Sequence, residues 1–138
     1  MKVVLDTNVI VSSLLLPDSI PGRILDRWRE GYFELIASWP LLDELARTLT
    51  YPKIARRTRM SADEVLEFVG KLGALSTVVD IEGVHVAVPG DPSDSKILAT
   101  LVSGQGDWLV TGDRAILALA GRYPIVTPTA FLRTLSLR

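Results

Sequence analysis

Val3-Val4-Leu5-Asp6 near the start of the chain and Trp108-Leu109-Val110-Thr111-Gly112-Asp113 near its end decide how the sequence folds. Each is a short apolar run that leads to a carboxylate. Uninterrupted runs of this kind fit strands buried on both faces of a parallel sheet, because a strand with one wet face would alternate. In open parallel sheets, ligands bind beyond the carboxyl ends of the strands, near the point where strand order reverses. Asp6 and Asp113 are expected at that edge. With Glu44 and Asp94 they form a set of four acids whose mutual repulsion only shared protons or a cation would relieve. A metal site is the leading expectation.

Composition narrows the rest. The 138 residues suit one domain, 1–138, and 48% hydrophobic content is ample for a core. The absence of cysteine excludes disulfides and thiolate metal sites, which suits a reducing cytoplasm. His85 is the single histidine, which excludes the common zinc hydrolase layouts; a neutral buried or half-exposed imidazole is its expected state. No signal peptide is visible, and the apolar stretch from Val9 to Leu16, interrupted by Ser12 and Ser13, is too short to cross a bilayer. A soluble, cytoplasmic protein without membrane contact is expected. The formal net charge of −1 does not advertise a nucleic-acid partner. Locally the picture differs, since no acid occurs from Leu45 to Ala62 while Arg47, Lys53, Arg56, Arg57 and Arg59 are basic.

Apolar runs alternate with helical periodicity along the whole chain. Strands are expected near Lys2 to Leu5, Phe33 to Ala37, Ser76 to Asp80, Trp108 to Thr111 and Ile125 to Thr127. Helices are expected over Pro21 to Glu30, Pro40 to Leu49, Ala62 to Leu75, Pro92 to Ser103, Arg114 to Ala120 and Thr129 to Leu135. This succession argues for an α/β fold of three layers, α/β/α, with a parallel sheet. The stretch from Ile81 to Gly90 is the one long loop. Asp91 and Pro92 read as an N-cap and a first helical position, Ser61 with Glu64 as a capping box, and Ser38 as a cap before Pro40.

Spacing of about 100° per residue sorts the acids. Glu44 lies on the margin of the Leu41, Leu42, Leu45 and Leu49 stripe, whereas Asp43 points away into solvent. Asp94 heads the apolar stripe of Ile97, Leu98 and Leu101, a costly place for an uncompensated charge. Each acid also has a plain reading: Asp113 as an N-cap, Asp94 as a first-turn acid, Asp6 as a turn residue and Glu44 as a surface charge. Convergence on one sheet edge favours function over four independent caps. Ile24, Leu25, Trp28, Val65, Leu66, Phe68 and Val69 are expected mostly in the core, with Trp28 or Phe68 available for a partner surface.

In four segments the chain resembles the PIN-domain family, in particular the small prokaryotic toxins of toxin–antitoxin pairs (VapC-like). These segments are Val3-Val4-Leu5-Asp6-Thr7-Asn8-Val9, Ser38-Trp39-Pro40-Leu41-Leu42-Asp43-Glu44-Leu45, Asp91-Pro92-Ser93-Asp94 and Leu109-Val110-Thr111-Gly112-Asp113. Their order and spacing are specific although each is short. The resemblance implies a central five-stranded parallel sheet and metal-dependent ribonuclease activity. Its acids carry over to Asp6, Glu44, Asp94 and Asp113. Thr7, Asn8 and Thr111 match supporting polar positions, and Asp91 matches the first acid of an Asp-Pro-x-Asp pattern. Asp91 is read chiefly as a cap, with an outer-shell or direct ligand role also open. Asp107 matches a position at the start of a strand. A homodimer and an antitoxin partner are implied by resemblance alone.

An all-carboxylate site suits Mg²⁺ or Mn²⁺ rather than Zn²⁺. Asp6, Glu44 and Asp94 are expected at the tighter ion, with Asp113 completing that shell or helping a second. The basic residues Arg47, Lys53, Arg56, Arg57 and Arg59 would guide an RNA backbone, or else form a solvated helix end and turn. Two other classes compete. A haloacid-dehalogenase-like phosphatase would need an aspartate where Asn8 stands, and a receiver domain would need a lysine where Ile125-Val126-Thr127 leads to Pro128. A catalytically silent PIN-like module is opposed by the intact set of acids.

Overall fold

Five strands, β1 (Lys2–Leu5), β2 (Glu34–Ala37), β3 (Thr77–Val78), β4 (Trp108–Val110) and β5 (Ile125–Val126), pair in parallel in the order β3-β2-β1-β4-β5. The structure is a computed structural model and describes residues 1–86 and 93–136. Around the sheet run α1 (Thr7–Leu15), α2 (Ile20–Arg29), α3 (Trp39–Thr50), α4 (Pro52–Thr58), α5 (Ala62–Leu75), α6 (Ser93–Ser103), α7 (Arg114–Leu117) and α8 (Pro128–Ser136). The chain steps outward from β1 through β2 to β3, then returns to the other side of β1 with β4. Strand order therefore reverses between β1 and β4. The fold is the expected α/β/α arrangement.

Two apolar clusters occupy the two faces of the sheet. One gathers Val3, Leu5, Leu35 and Val110 with residues of α1, α2, α3, α5 and α8. The other gathers Val4, Ile36, Leu109 and Ile125 with residues of α6 and α7, plus Leu41 from α3. Successive residues of β1 thus serve opposite faces, as the strand pleat requires. Phe131 of α8 is fully buried and meets Phe33 edge-on at 5.3 Å.

Several expectations need correction. The stretch from Val9 to Leu16, for which no helix is expected, forms most of α1, whose Val9, Ile10 and Val11 are buried. β-branched residues are poor intrinsic helix formers, and here burial on the sheet overrides propensity. The basic segment forms a second unforeseen helix, α4, which starts at Pro52 and ends at Arg59 with a left-handed φ of 59°. β3 is two residues rather than the whole of Ser76 to Asp80, although Val79 N–H still donates to the Ala37 carbonyl at 2.8 Å. Ser38 occupies the N-cap position of α3 without making a side-chain cap bond. Leu66 is 66% exposed instead of buried, and His85 is exposed as well. The Ser61 capping box is present, with Glu64 N–H donating to Ser61 Oγ at 3.1 Å and Ser61 N–H to Glu64 Oε1 at 3.0 Å. Asp91, Pro92 and the 87–90 part of the expected loop lie outside the described residues. Among the described residues, no helix is long and apolar enough to cross a membrane.

α6 approaches β2 closely through Gly104, where a Cβ would fall 2.5 Å from Ile36 Cγ2. Gly104→Ala is expected to force these elements apart at a cost of about 1–3 kcal/mol, the usual range for overpacking. Urea unfolding checks this; an unchanged midpoint would mean that the packing relaxes freely.

Candidate metal centre

Asp6 ends β1 at the carboxyl edge of the sheet, beside Thr111 at the end of β4. The register Leu5↔Val110 sets them side by side, and the Asp6 N–H continues the ladder by donating to the Val110 carbonyl at 3.0 Å. Thr111 is fully buried, and its Oγ1 donates to Asp6 Oδ2 at 2.6 Å. The same hydroxyl oxygen accepts from the Asp113 N–H at 3.0 Å. One threonine thus links the β1 acid to the backbone that begins α7.

Asp113 is half-buried and caps α7 through Oδ1, accepting from Ala115 N–H at 2.8 Å and Ile116 N–H at 3.2 Å. The cap reading of Asp113 is correct, and it leaves Oδ2 outside those bonds. Glu44 is half-buried in α3, while Asp43 beside it is exposed. Thr7, buried at the start of α1, donates to Glu44 Oε2 at 3.2 Å. Asp94 stands in the first turn of α6 and is only 9% exposed, above the buried Ile97, Leu98 and Leu101. Asn8 is exposed, and its backbone N–H bonds to Asp6. Asp107 has a structural task at the far end of β4, where its carboxylate accepts from the Lys2 N–H at 2.7 Å.

Electrostatics tie three of the four acids together. Burial raises the Asp6 carboxyl above the ordinary aspartate range, against the pull of the Thr111 hydroxyl and the nearby Asn8 N–H. The negative charges of Asp113 and Glu44 raise it further. Asp6 makes no full cap bond to α1, so the Asn8 N–H compensates it only in part. A half-buried anion beside two like charges is the environment a cation stabilises. The donor set, oxygen only, fits a hard divalent ion. Among the described residues, no three such side chains converge closely enough to ligate one ion as they stand. Glu44 faces Thr7 and Asp113 faces α7, so side-chain rotation would have to bring them inward.

The remaining expected site residues sit elsewhere. Arg47 lies one turn beyond Glu44 on α3, Lys53, Arg56 and Arg57 lie on α4, and Arg59 ends it; all are exposed. The ion pairs found among the described residues, Arg27–Glu30, Arg29–Asp26 and Lys71–Glu67, involve none of them. A groove of 670 Å³ lined by Trp39, Val78, Asp80 and Glu82 opens at the β3 edge, two strands from β1. Trp28 and Phe68 are half-buried and line a 270 Å³ groove between α2 and α5 with the 72% exposed Leu75. Sequence reasoning did not flag Thr100, a fully buried threonine of α6 bonded to Ser38. Its one signal is a hydroxyl inside the apolar run Ile97-Leu98-Ala99-Thr100-Leu101.

Comparison with known proteins bears on the family and the fold. The PIN domain family profile matches residues 2–115, which include all four acids. A curated relative, the uncharacterized protein MJ1680 of Methanocaldococcus jannaschii, is 28% identical over 119 residues, covering 86% of this chain and 75% of that protein. A similar fold occurs in the crystal structure of VapBC2 from Rickettsia felis bound to a DNA fragment from their promoter. The TM-score is 0.58 at 14% identity, with 92% of this chain and 98% of that chain covered.

The raised Asp6 carboxyl has a signed consequence for stability. Its folded form keeps a proton that the unfolded chain, titrating near 3.8, has already released. The Asp6 contribution is therefore most favourable below that value and is lost as pH climbs toward the folded one. Asp6→Asn removes this loss while its amide oxygen can still accept from Thr111. Without divalent ions, the variant is expected to melt above the wild type at about pH 7 and to depend less on pH. Thermal unfolding in EDTA measures both, and a lower melting point at neutral pH contradicts the burial account.

Proposed function

The chain belongs to the PIN-domain family, and from that premise we propose that it is a metal-dependent endoribonuclease, the toxin of a toxin–antitoxin pair. PIN domains are generally nucleases, and they typically use divalent ions. The observation that carries the reading is Asp6, an acid whose charge is opposed by burial and by two neighbouring acids at the sheet's switch point.

Asp6, Glu44 and Asp94 would hold a first Mg²⁺ or Mn²⁺, with Asp113 completing that shell or helping to hold a second. Such an ion supplies an acidified, oriented water and neutralises charge on the leaving oxygen of a phosphodiester. The chain's own residues do the positioning. Thr111 fixes the Asp6 carboxylate from one side, and Thr7 holds Glu44 within reach of the same edge. Asp91, two residues before α6 in sequence, is a candidate cap, with an outer-shell or direct ligand role also open.

The exposed cations of α3 and α4 suit an RNA backbone. Such contacts add affinity and salt dependence rather than sequence choice. The likeness in sequence to VapC-like toxins, with a fold shared by VapBC2, supports an antitoxin partner and a homodimer. The α2–α5 groove and the exposed Leu75 offer apolar surface for either. A cytoplasmic location fits this role.

Incubating the purified protein with single-stranded RNA tests the central reading. Cleavage is expected, abolished by EDTA and restored by Mn²⁺. Asp6→Asn is expected to lower it by at least ~100-fold, the upper end of what losing even an outer partner costs a metal site. Full activity in that variant contradicts the assignment, and retention of RNA without cleavage would indicate a binding module. For the basic surface, Arg56→Ala/Arg57→Ala is expected to flatten the dependence of RNA affinity on log salt by about 1–2 units of slope. An unchanged slope means that α4 does not touch phosphate.

A further inference from the structure

Ser38 Oγ and Thr100 Oγ1 lie 2.7 Å apart, and both residues have no solvent exposure. The direction of the bond follows from its surroundings. Thr100 Oγ1 is also 2.8 Å from the Lys96 carbonyl, which can only accept. The single threonine hydroxyl hydrogen goes there, so Ser38 donates to Thr100. Ser38 sits at the N-cap of α3 in extended backbone with φ −139°, yet its side chain makes no cap bond. A serine at this position ordinarily accepts from the first-turn amides. Here the hydroxyl reaches across to α6 instead.

The helices so joined are the two that carry site acids. Glu44 follows Ser38 by about 9 Å of helix axis, and Asp94 precedes Thr100 by about the same. Gly104, one turn beyond Thr100, supplies the second anchor where α6 presses on Ile36 of β2. Two fixed points one turn apart set the height and the rotation of α6, and with them the place of Asp94. We infer that the buried Ser38–Thr100 bond is a positioning device for the metal centre, holding the helix that bears Asp94 in register with the helix that bears Glu44. This rests on the nuclease reading above.

Ser38→Ala is the gentlest variant, because Thr100 keeps its bond to Lys96 and no buried donor is stranded. Ser38→Ala/Thr100→Val removes both hydroxyls, and Thr100→Ser keeps the acceptor. Calorimetric titration of the full chain with Mn²⁺ reads the effect beside circular dichroism and thermal unfolding. The wild type is expected to bind, Ser38→Ala and the double variant to fold but bind about tenfold more weakly, and Thr100→Ser to match the wild type. Wild-type affinity in a folded Ser38→Ala variant overturns the inference alone, as does a Thr100→Ser variant as weak as the double one. Absence of Mn²⁺ binding by the wild type overturns the nuclease reading and this inference together.

Discussion

The parallel pairing of β1 with β4 is the constraint from which the site follows. Residues more than a hundred positions apart in sequence become neighbours because Leu5 pairs with Val110 and the Asp6 N–H extends that ladder. One further residue on each strand places the Asp6 carboxylate against the Thr111 hydroxyl. The chain reverses its direction of travel across the sheet at this pair, where open parallel sheets leave a crevice between the two strand ends. A polar site can form there while the apolar runs below stay buried on both faces. Slipping the register by one residue would turn Val3, Val4 and Leu5 to the wrong faces, so the core itself enforces the geometry of the acids.

Hydroxyl and amide donors, rather than opposite charges, face Asp6, Glu44 and Asp113. Thr111 serves Asp6, Thr7 serves Glu44, and the amides of α7 serve Asp113. Among the described residues, none of the salt bridges reaches these acids. A hydroxyl orients an anion without neutralising it. A lysine or arginine in the same place would stabilise the apo fold more and compete with any cation for the carboxylates. The arrangement leaves like charges close together in the metal-free chain, a strain common at functional sites.

The sheet was legible because β1 and β4 are written as unbroken apolar runs ending in Asp6 and Asp113. Long amphipathic helices such as α5 were legible for the same reason, with capping chemistry at Ser61 confirming the start. α1 was not, because Val9, Ile10 and Val11 carry strand-like propensity and only tertiary burial makes them helical. α4 was hidden by its shortness and its lack of buried residues. The carboxylates could be named from spacing, but the partners could not. Nothing local links Thr7 to Glu44, 37 residues away, or Ser38 to Thr100, 62 residues away. Ser38 takes the N-cap position as read, but the local cap pattern could not show that its hydroxyl is bonded to a distant Thr100.

Paramagnetic broadening measures the central claim most directly. Mn²⁺ added in small amounts to protein carrying ¹³C in its aspartate and glutamate carboxyl groups reports which acids lie nearest the ion. If the switch-point edge is a metal centre, the signals of Asp6, Glu44, Asp94 and Asp113 should broaden first, while surface acids such as Asp26 and Glu67 stay sharp. Uniform broadening across all acids, or preference for the surface ones, would contradict it.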